Sequence, residues 1–183
     1  MMKRTVRRAI VTLLCIVVLL VGGFFLLGGG IGVPKSRLAE ELRASQKIPN
    51  DWLVTGTVCD TAALYLFYPP DKSCYGYTVY VNRPGLSFGY IFQGSTTVAV
   101  ADCPQAALPT EVQQLSIGGS GQNAYFSLNF AQVQNVEVGN GQSTEMYPLD
   151  SSVPFTILLP QSSSEITFYD RNGNPVETQT APL

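Results

Sequence analysis

The sequence predicts a mainly β protein carried on one N-terminal membrane helix, and three observations make the case. Residues 9–27 are an uninterrupted apolar run without a charge. From Trp52 onward, apolar residues recur with a period of two. Clusters of Gly, Pro, Asn and Asp cut that region into strand-length pieces. The expected plan is a basic cytoplasmic tail at residues 1–8, a transmembrane helix at 9–33 and a juxtamembrane helix or stalk at 34–49. Residues 50–183 then form an extracytoplasmic antiparallel β-sandwich or barrel-like domain, with a subdivision open near 118–121.

The run AIVTLLCIVVLLVGGFFLL holds nineteen residues with Thr12 as its one hydroxyl. As a helix it rises about 28 Å, close to the roughly 30 Å of a bilayer's hydrocarbon core. A helix satisfies its own backbone hydrogen bonds, which lipid requires of a single span. Cys15 lies inside the run and reads as a membrane-embedded thiol, not as a lipidation site. Glycines at 28–30 and 32, with Pro34, end the helix and read as a flexible exit.

Orientation does not follow from a basic majority, because Lys3, Arg4, Arg7 and Arg8 before the run are matched by Lys35, Arg37, Arg43 and Lys47 after it. It follows from the shortness of the first tail and from the export-like character of the long part. That places the N-terminus inside and the C-terminal domain outside. A cleaved signal peptide, cut among residues 28–32, is the rival reading, although its apolar core is ordinarily shorter.

Charge separates the two parts. Residues 1–47 carry eight basic and two acidic side chains, a net of +6. From Ile48 onward there are three basic and eleven acidic ones, a net of −8. An outer domain of that sign repels phosphate backbones, so nucleic acid is excluded as its partner.

Along the outer part, SRLAEELRASQK at 36–47 places Leu38 and Leu42 on one helical face, and Pro49 is expected to end it. Strands follow. Tyr75, Tyr77, Val79 and Val81 alternate with polar or small neighbours; so do Leu86, Phe88, Tyr90 and Phe92, then Phe126, Leu128 and Phe130, then Phe155, Ile157 and Leu159, then Ile166 and Phe168. Turns are expected at Pro69-Pro70-Asp71, Arg83-Pro84-Gly85, Gly94-Ser95, 118–121, Gly139-Asn140-Gly141 and Asn172-Gly173. Asn172-Gly173 between ITFYDR and NPVET is a hairpin signal.

Three cysteines lie in the outer part. A hairpin of 61–68 with 74–81, followed by two more hairpins turning at Pro84-Gly85 and Gly94-Ser95, brings Cys59 and Cys103 to one end of the sheet. A Cys59–Cys103 disulfide is therefore expected, with Cys74 free.

Catalytic chemistry finds little to work with. The chain has no histidine, which removes Ser-His-Asp and Cys-His catalysis and the common zinc ligands. Ser73 beside Lys72 does not make a dyad, since neighbours on an extended chain point apart. Asp170, Asn172 and Asn174 resemble a calcium loop in spacing, but Pro175 and Ala181 stand where Gly and Glu are needed. No catalytic residue, metal or cofactor is expected. Asp60, Asp71, Asp102, Glu111 and Asp150 are scattered, which leaves a carboxylate-dependent cell-wall hydrolase as the alternative function. Aromatic residues concentrate between Tyr65 and Phe92. Tyr65, Tyr68 and Tyr80 are the candidates for an outward binding surface, against the structural alternative of cross-strand pairing and core.

These features converge on a non-catalytic binding or assembly module. It is held in the bilayer by residues 9–33, displayed at a bacterial envelope or cell surface, and engaged with a protein or cell-wall partner. A cleaved, secreted β protein is the further alternative.

Overall fold

The structure, a computed structural model, describes residues 2–27, 30–85, 87–99, 112–163 and 165–181. It is mainly β. Among these residues two α-helices, α1 (Met2–Leu27) and α2 (Leu38–Ser45), precede twelve strands. These are β1 (Leu53–Val58), β2 (Ala62–Tyr68), β3 (Cys74–Val81), β4 (Ile91–Ala99), β5 (Val112–Ile117), β6 (Gln122–Ser127), β7 (Val133–Gly139), β8 (Thr144–Pro148), β9 (Phe155–Pro160), β10 (Glu165–Asp170), β11 (Pro175–Val176) and β12 (Thr178–Thr180).

The strands form three four-stranded sheets with orders β1-β2-β3-β4, β12-β5-β6-β9 and β11-β10-β7-β8. An antiparallel β-sandwich or barrel-like domain was expected; the packed sheets are consistent with a sandwich, with one parallel pair, β12 with β5. Alternation explains the layering. Leu64 and Leu66 of β2, with Tyr77 and Val79 of β3, pack against Leu115, Ala124 and Phe126 of the second sheet. Phe126 stacks at 4.5 Å from Tyr77. Its neighbour Tyr125 points the other way, into a core with Val136 and Phe168 of the third sheet. The first sheet also buries its opposite face: Ala63, Tyr65, Phe67 and Tyr80 lie under Leu38, Leu42 and Ile48. The first two sheets are thus covered on both faces, which is why every residue of β2 is buried.

α2 is part of the domain, not a stalk. Leu38 and Leu42 are fully buried, one helical turn apart on the face toward the sheet. Glu40 and Glu41 sit in its first turn and Arg43 in its last, both favourable to the helix dipole. Pro49 was expected to end it, but termination comes earlier. Lys47 takes a left-handed φ of 52°, the Ile48 N–H donates to the Arg43 carbonyl, and Ile48 packs with Leu42. This is a Schellman closure with its apolar contact.

Two of the four hairpins read from their turns are present: β2 pairs β3 from Ala62↔Val81 to Phe67↔Gly76, and β10 pairs β11 at Tyr169↔Pro175. Residues 118–121 are the turn between β5 and β6, neighbours in one sheet. Two expected elements differ. Gly94-Ser95 is not a turn but lies inside β4, paired with Val79 and Thr78. Of the alternating residues before it, Phe88 and Tyr90 make only isolated bridges, to Ile31 and Val33; Phe92 belongs to β4, and Leu86 lies outside the described residues.

The disulfide geometry changes with that register. A single strand replaces the two expected hairpins, so β4 ends at Ala99 opposite Cys74, the far end of the sheet from Cys59. Cys59 and Cys74 are free thiols, and Cys103 lies outside the described residues.

α1 stops at Leu27, so residues 30–33, counted with the span from sequence, lie beyond it. Its side chains are described at 10–23. Among the described residues no helix is long and apolar enough to cross a membrane.

Candidate functional site

Residues 30–33, shortly after α1, are bonded to the segment that leads into β4. The Phe88 N–H donates to the Gly30 carbonyl at 2.6 Å, and the Gly32 N–H donates to the Phe88 carbonyl at 2.8 Å. Val33 and Tyr90 exchange both backbone bonds at 2.8 Å. Four hydrogen bonds over so few residues make this a clamp, not the flexible exit that the glycines suggested. The glycines have another purpose. A Cβ on Gly32 would lie 2.5 Å from the Tyr90 carbonyl oxygen, and one on Gly89, whose φ is +96°, would lie 2.6 Å from that of Val33. Only glycine lets the two backbones approach so closely.

Tyr90 locks the clamp from below: its side chain is buried and its hydroxyl donates to the Cys59 carbonyl at 2.7 Å. Outward, Ile31 and Phe88 face each other across the bridge and are 71% and 68% exposed. A shallow groove of about 330 Å³ follows, lined by Gly32, Val33, Pro34, Arg37, Glu40 and Glu41. The Arg37–Glu40 pair at its rim, 3.7 Å apart and well exposed, adds little energy in water.

Beside the clamp runs β4, an edge strand of the first sheet. Its sequence IFQGSTTVA has no charge and no proline. Gln93 is an extra residue, between Phe92 opposite Tyr80 and Gly94 opposite Val79. Beyond that bulge, Gly94 to Ala99 pair regularly with β3, and among the described residues no strand pairs with their other side. The remaining edges are short or guarded. β11 and β12 have two and three residues, β9 ends in Pro160, and β8 carries Glu145 and ends in Pro148. β1 lies against β9, where the Thr57 hydroxyl donates to the Thr156 carbonyl at 2.7 Å.

The residues singled out from sequence fall elsewhere. Tyr65, Tyr68 and Tyr80 are not an outward surface: all three are buried, with Tyr65 and Tyr80 under α2 and Tyr68 between the sheets. The cause is two-sided burial of the first sheet, which leaves neither face of β2 or β3 open. Burial raises their phenol pKa values. Ser45 on α2 is the polar neighbour of the Tyr80 hydroxyl and tempers its rise, but among the described residues that hydroxyl makes no well-formed hydrogen bond.

Lys72 and Ser73 do point apart. The Lys72 ammonium donates to the Leu128 carbonyl at 3.1 Å and lies 5.2 Å over the Phe130 ring, whereas the Ser73 hydroxyl donates to Asp71. Asp170 accepts from the Asn172 and Asn174 N–H groups at 2.8 Å each, as the hairpin turn requires.

The carboxylates serve turns. Asp71, bonded by the Ser73 N–H and hydroxyl, and Asp150, bonded by the Ser152 hydroxyl and N–H, are exposed and have pKa values held below the ordinary range. Asp60 and Asp71 occupy turns at opposite ends of β2. Asp102 and Glu111 lie outside the described residues. Among the described residues no group of His, Cys, Asp and Glu is placed to hold a metal ion.

Sequence reasoning missed Ile31, Phe88 and the β4 edge. The first two were assigned to a helix and to a strand, and an edge position is set by pairing, which local pattern does not carry. Searches of family models, curated proteins and solved structures find no match to this chain.

Proposed function

We propose that the protein is a membrane-anchored assembly module that recruits a protein partner on the extracytoplasmic side by strand addition to β4. The observation that carries the reading is the β4 edge. Natural edge strands are ordinarily blunted by charge, proline, brevity, a bulge or a covering loop. Here the longest of the described strands lacks charge and proline and, past the Gln93 bulge, pairs regularly with β3 on one side while no described strand covers the other. Backbone pairing supplies affinity in such complexes and side-chain pockets supply selectivity.

The anchor is α1. Its large apolar side chains from Ile10 to Val21 are exposed around the whole helix, an arrangement that calls for apolar surroundings. The basic residues Lys3, Arg4, Arg7 and Arg8 stand at its start. They support an N-terminus inside and the acidic β domain outside.

A photo-reactive amino acid at exposed Gln93, in intact cells, tests the proposal. A discrete adduct is expected at Gln93 and not at Met146, and Thr97→Lys, which places a charge on the edge, should abolish it. An adduct indifferent to Thr97→Lys, or its absence, overturns strand addition. External protease on the same cells reports topology: digestion of the β domain with α1 retained is expected.

A further inference from the structure

We infer that the domain is seated directly on the bilayer, with Ile31 and Phe88 entering the outer leaflet where headgroups meet acyl chains. The inference rests on the anchor proposed above and turns on chain length. Only residues 28 and 29 separate Leu27, the last residue of α1, from Gly30, whose carbonyl is already bonded to Phe88. Three Cα–Cα steps span at most about 11 Å. The headgroup layer beyond the hydrocarbon is of order 5–8 Å on each side. At full extension that reach passes the headgroup layer by only a few ångströms, and any slack draws the domain closer. A domain clamped at Gly30, Gly32 and Val33 therefore sits at or just above the headgroups, where the side chains that its clamp exposes can reach them.

What the clamp exposes fits that level. Ile31 and Phe88 are large apolar side chains, more than two-thirds exposed, and opposite one another on the same bridge. In water they are a cost, whereas at the interface each buries apolar surface worth roughly 25 cal/mol per Å². Lys35, exposed in the 3-10 turn just after the clamp, is placed to meet lipid phosphates, with its stem along the interface. The glycines at 32 and 89 gain a second consequence: by permitting the tight clamp they fix where the two apolar side chains point.

Tryptophan scanning of the full chain in phosphatidylcholine vesicles containing phosphatidylglycerol tests this. Trp52→Phe removes the native tryptophan, and Ile31→Trp, Phe88→Trp or exposed Met146→Trp then reports depth. Emission from positions 31 and 88 is expected to be lost to lipids brominated near the headgroup end of the chains and spared by aqueous iodide. Position 146 should behave oppositely. Flotation of the same vesicles separates the two readings. Protein that floats but shows positions 31 and 88 quenched by iodide overturns the seat and leaves the anchor intact. Protein that does not float overturns both.

Discussion

Two tyrosines under α2 show how much depends on a single atom. Tyr80 and Tyr90 are both buried in the same core. The Tyr90 hydroxyl donates to the Cys59 carbonyl at 2.7 Å, whereas the Tyr80 hydroxyl, with Ser45 its polar neighbour, makes no well-formed hydrogen bond among the described residues. Losing a bond costs about 1 kcal/mol net, and removing a buried unbonded hydroxyl recovers desolvation of the same order. The same change, Tyr to Phe, is therefore expected to act with opposite signs. Tyr90→Phe should destabilise by about 1 kcal/mol, and Tyr80→Phe should be neutral or stabilising by up to about 1 kcal/mol. Urea titrations of the solubilised full chain, followed by Trp52 fluorescence, measure both. A destabilised Tyr80→Phe variant would mean that its hydroxyl has a partner. Period-two alternation puts Tyr80 on the face opposite Tyr77 and Val79. That is correct as geometry, but alternation does not tell an open face from one covered by another layer.

At the scale of elements, α2 shows what a short helix gains from tertiary contact. Eight residues are too few for a stable isolated helix, so α2 depends on Leu38 and Leu42 against Tyr65, Phe67 and Tyr80. Leu42→Ala is expected to cost 2–5 kcal/mol, in the usual range for a buried leucine. Ala44→Ser, on the exposed side of the same helix, should cost well under 1 kcal/mol. Amide exchange of residues 38–45 checks both: Leu42→Ala should abolish protection there. If protection survives, the helix holds by itself and the clamp beside it is independent of the sheet.

The elements also show where sequence patterns were sufficient. α2 and the β2–β3 and β10–β11 hairpins were legible because their signals are local: leucines four apart, a Pro-Pro turn, an Asn-Gly turn. β4 was not. Gly94-Ser95 looks like a turn, yet it faces Val79 and Thr78 across a ladder, and the chain instead bends at Gly89, where φ is positive. That bend exists because residues 31–33 return to pair there, more than fifty residues back in sequence. The expected hairpins would have put Cys103 beside Cys59; β4 instead ends opposite Cys74, and Cys103 itself lies outside the described residues.

For the molecule as a whole, the central sheet decides whether the layers act together. Adjacent residues of β6 serve different cores: Phe126 packs on Tyr77 of the first sheet, and Tyr125 on Phe168 of the third at 5.4 Å. No part of the second sheet can unfold without exposing both. Single, concerted unfolding of the β domain follows, with the loss of any layer felt in the others. Trp52 offers a distant reporter, since it packs against Phe67 on the α2 side of the first sheet, two layers from Phe168. Phe168→Ala opens a cavity in the third-sheet core and should cost 3–5 kcal/mol. If the layers are coupled, the Trp52 transition in urea shifts by that full amount and coincides with loss of the far-ultraviolet β signal. A Trp52 transition left in place while the β signal splits into two steps would show the third sheet to be a separable unit. The clamp and β4 would then stand on the first two sheets alone, and the partner edge and the membrane seat would keep their geometry after the distal layer had unfolded.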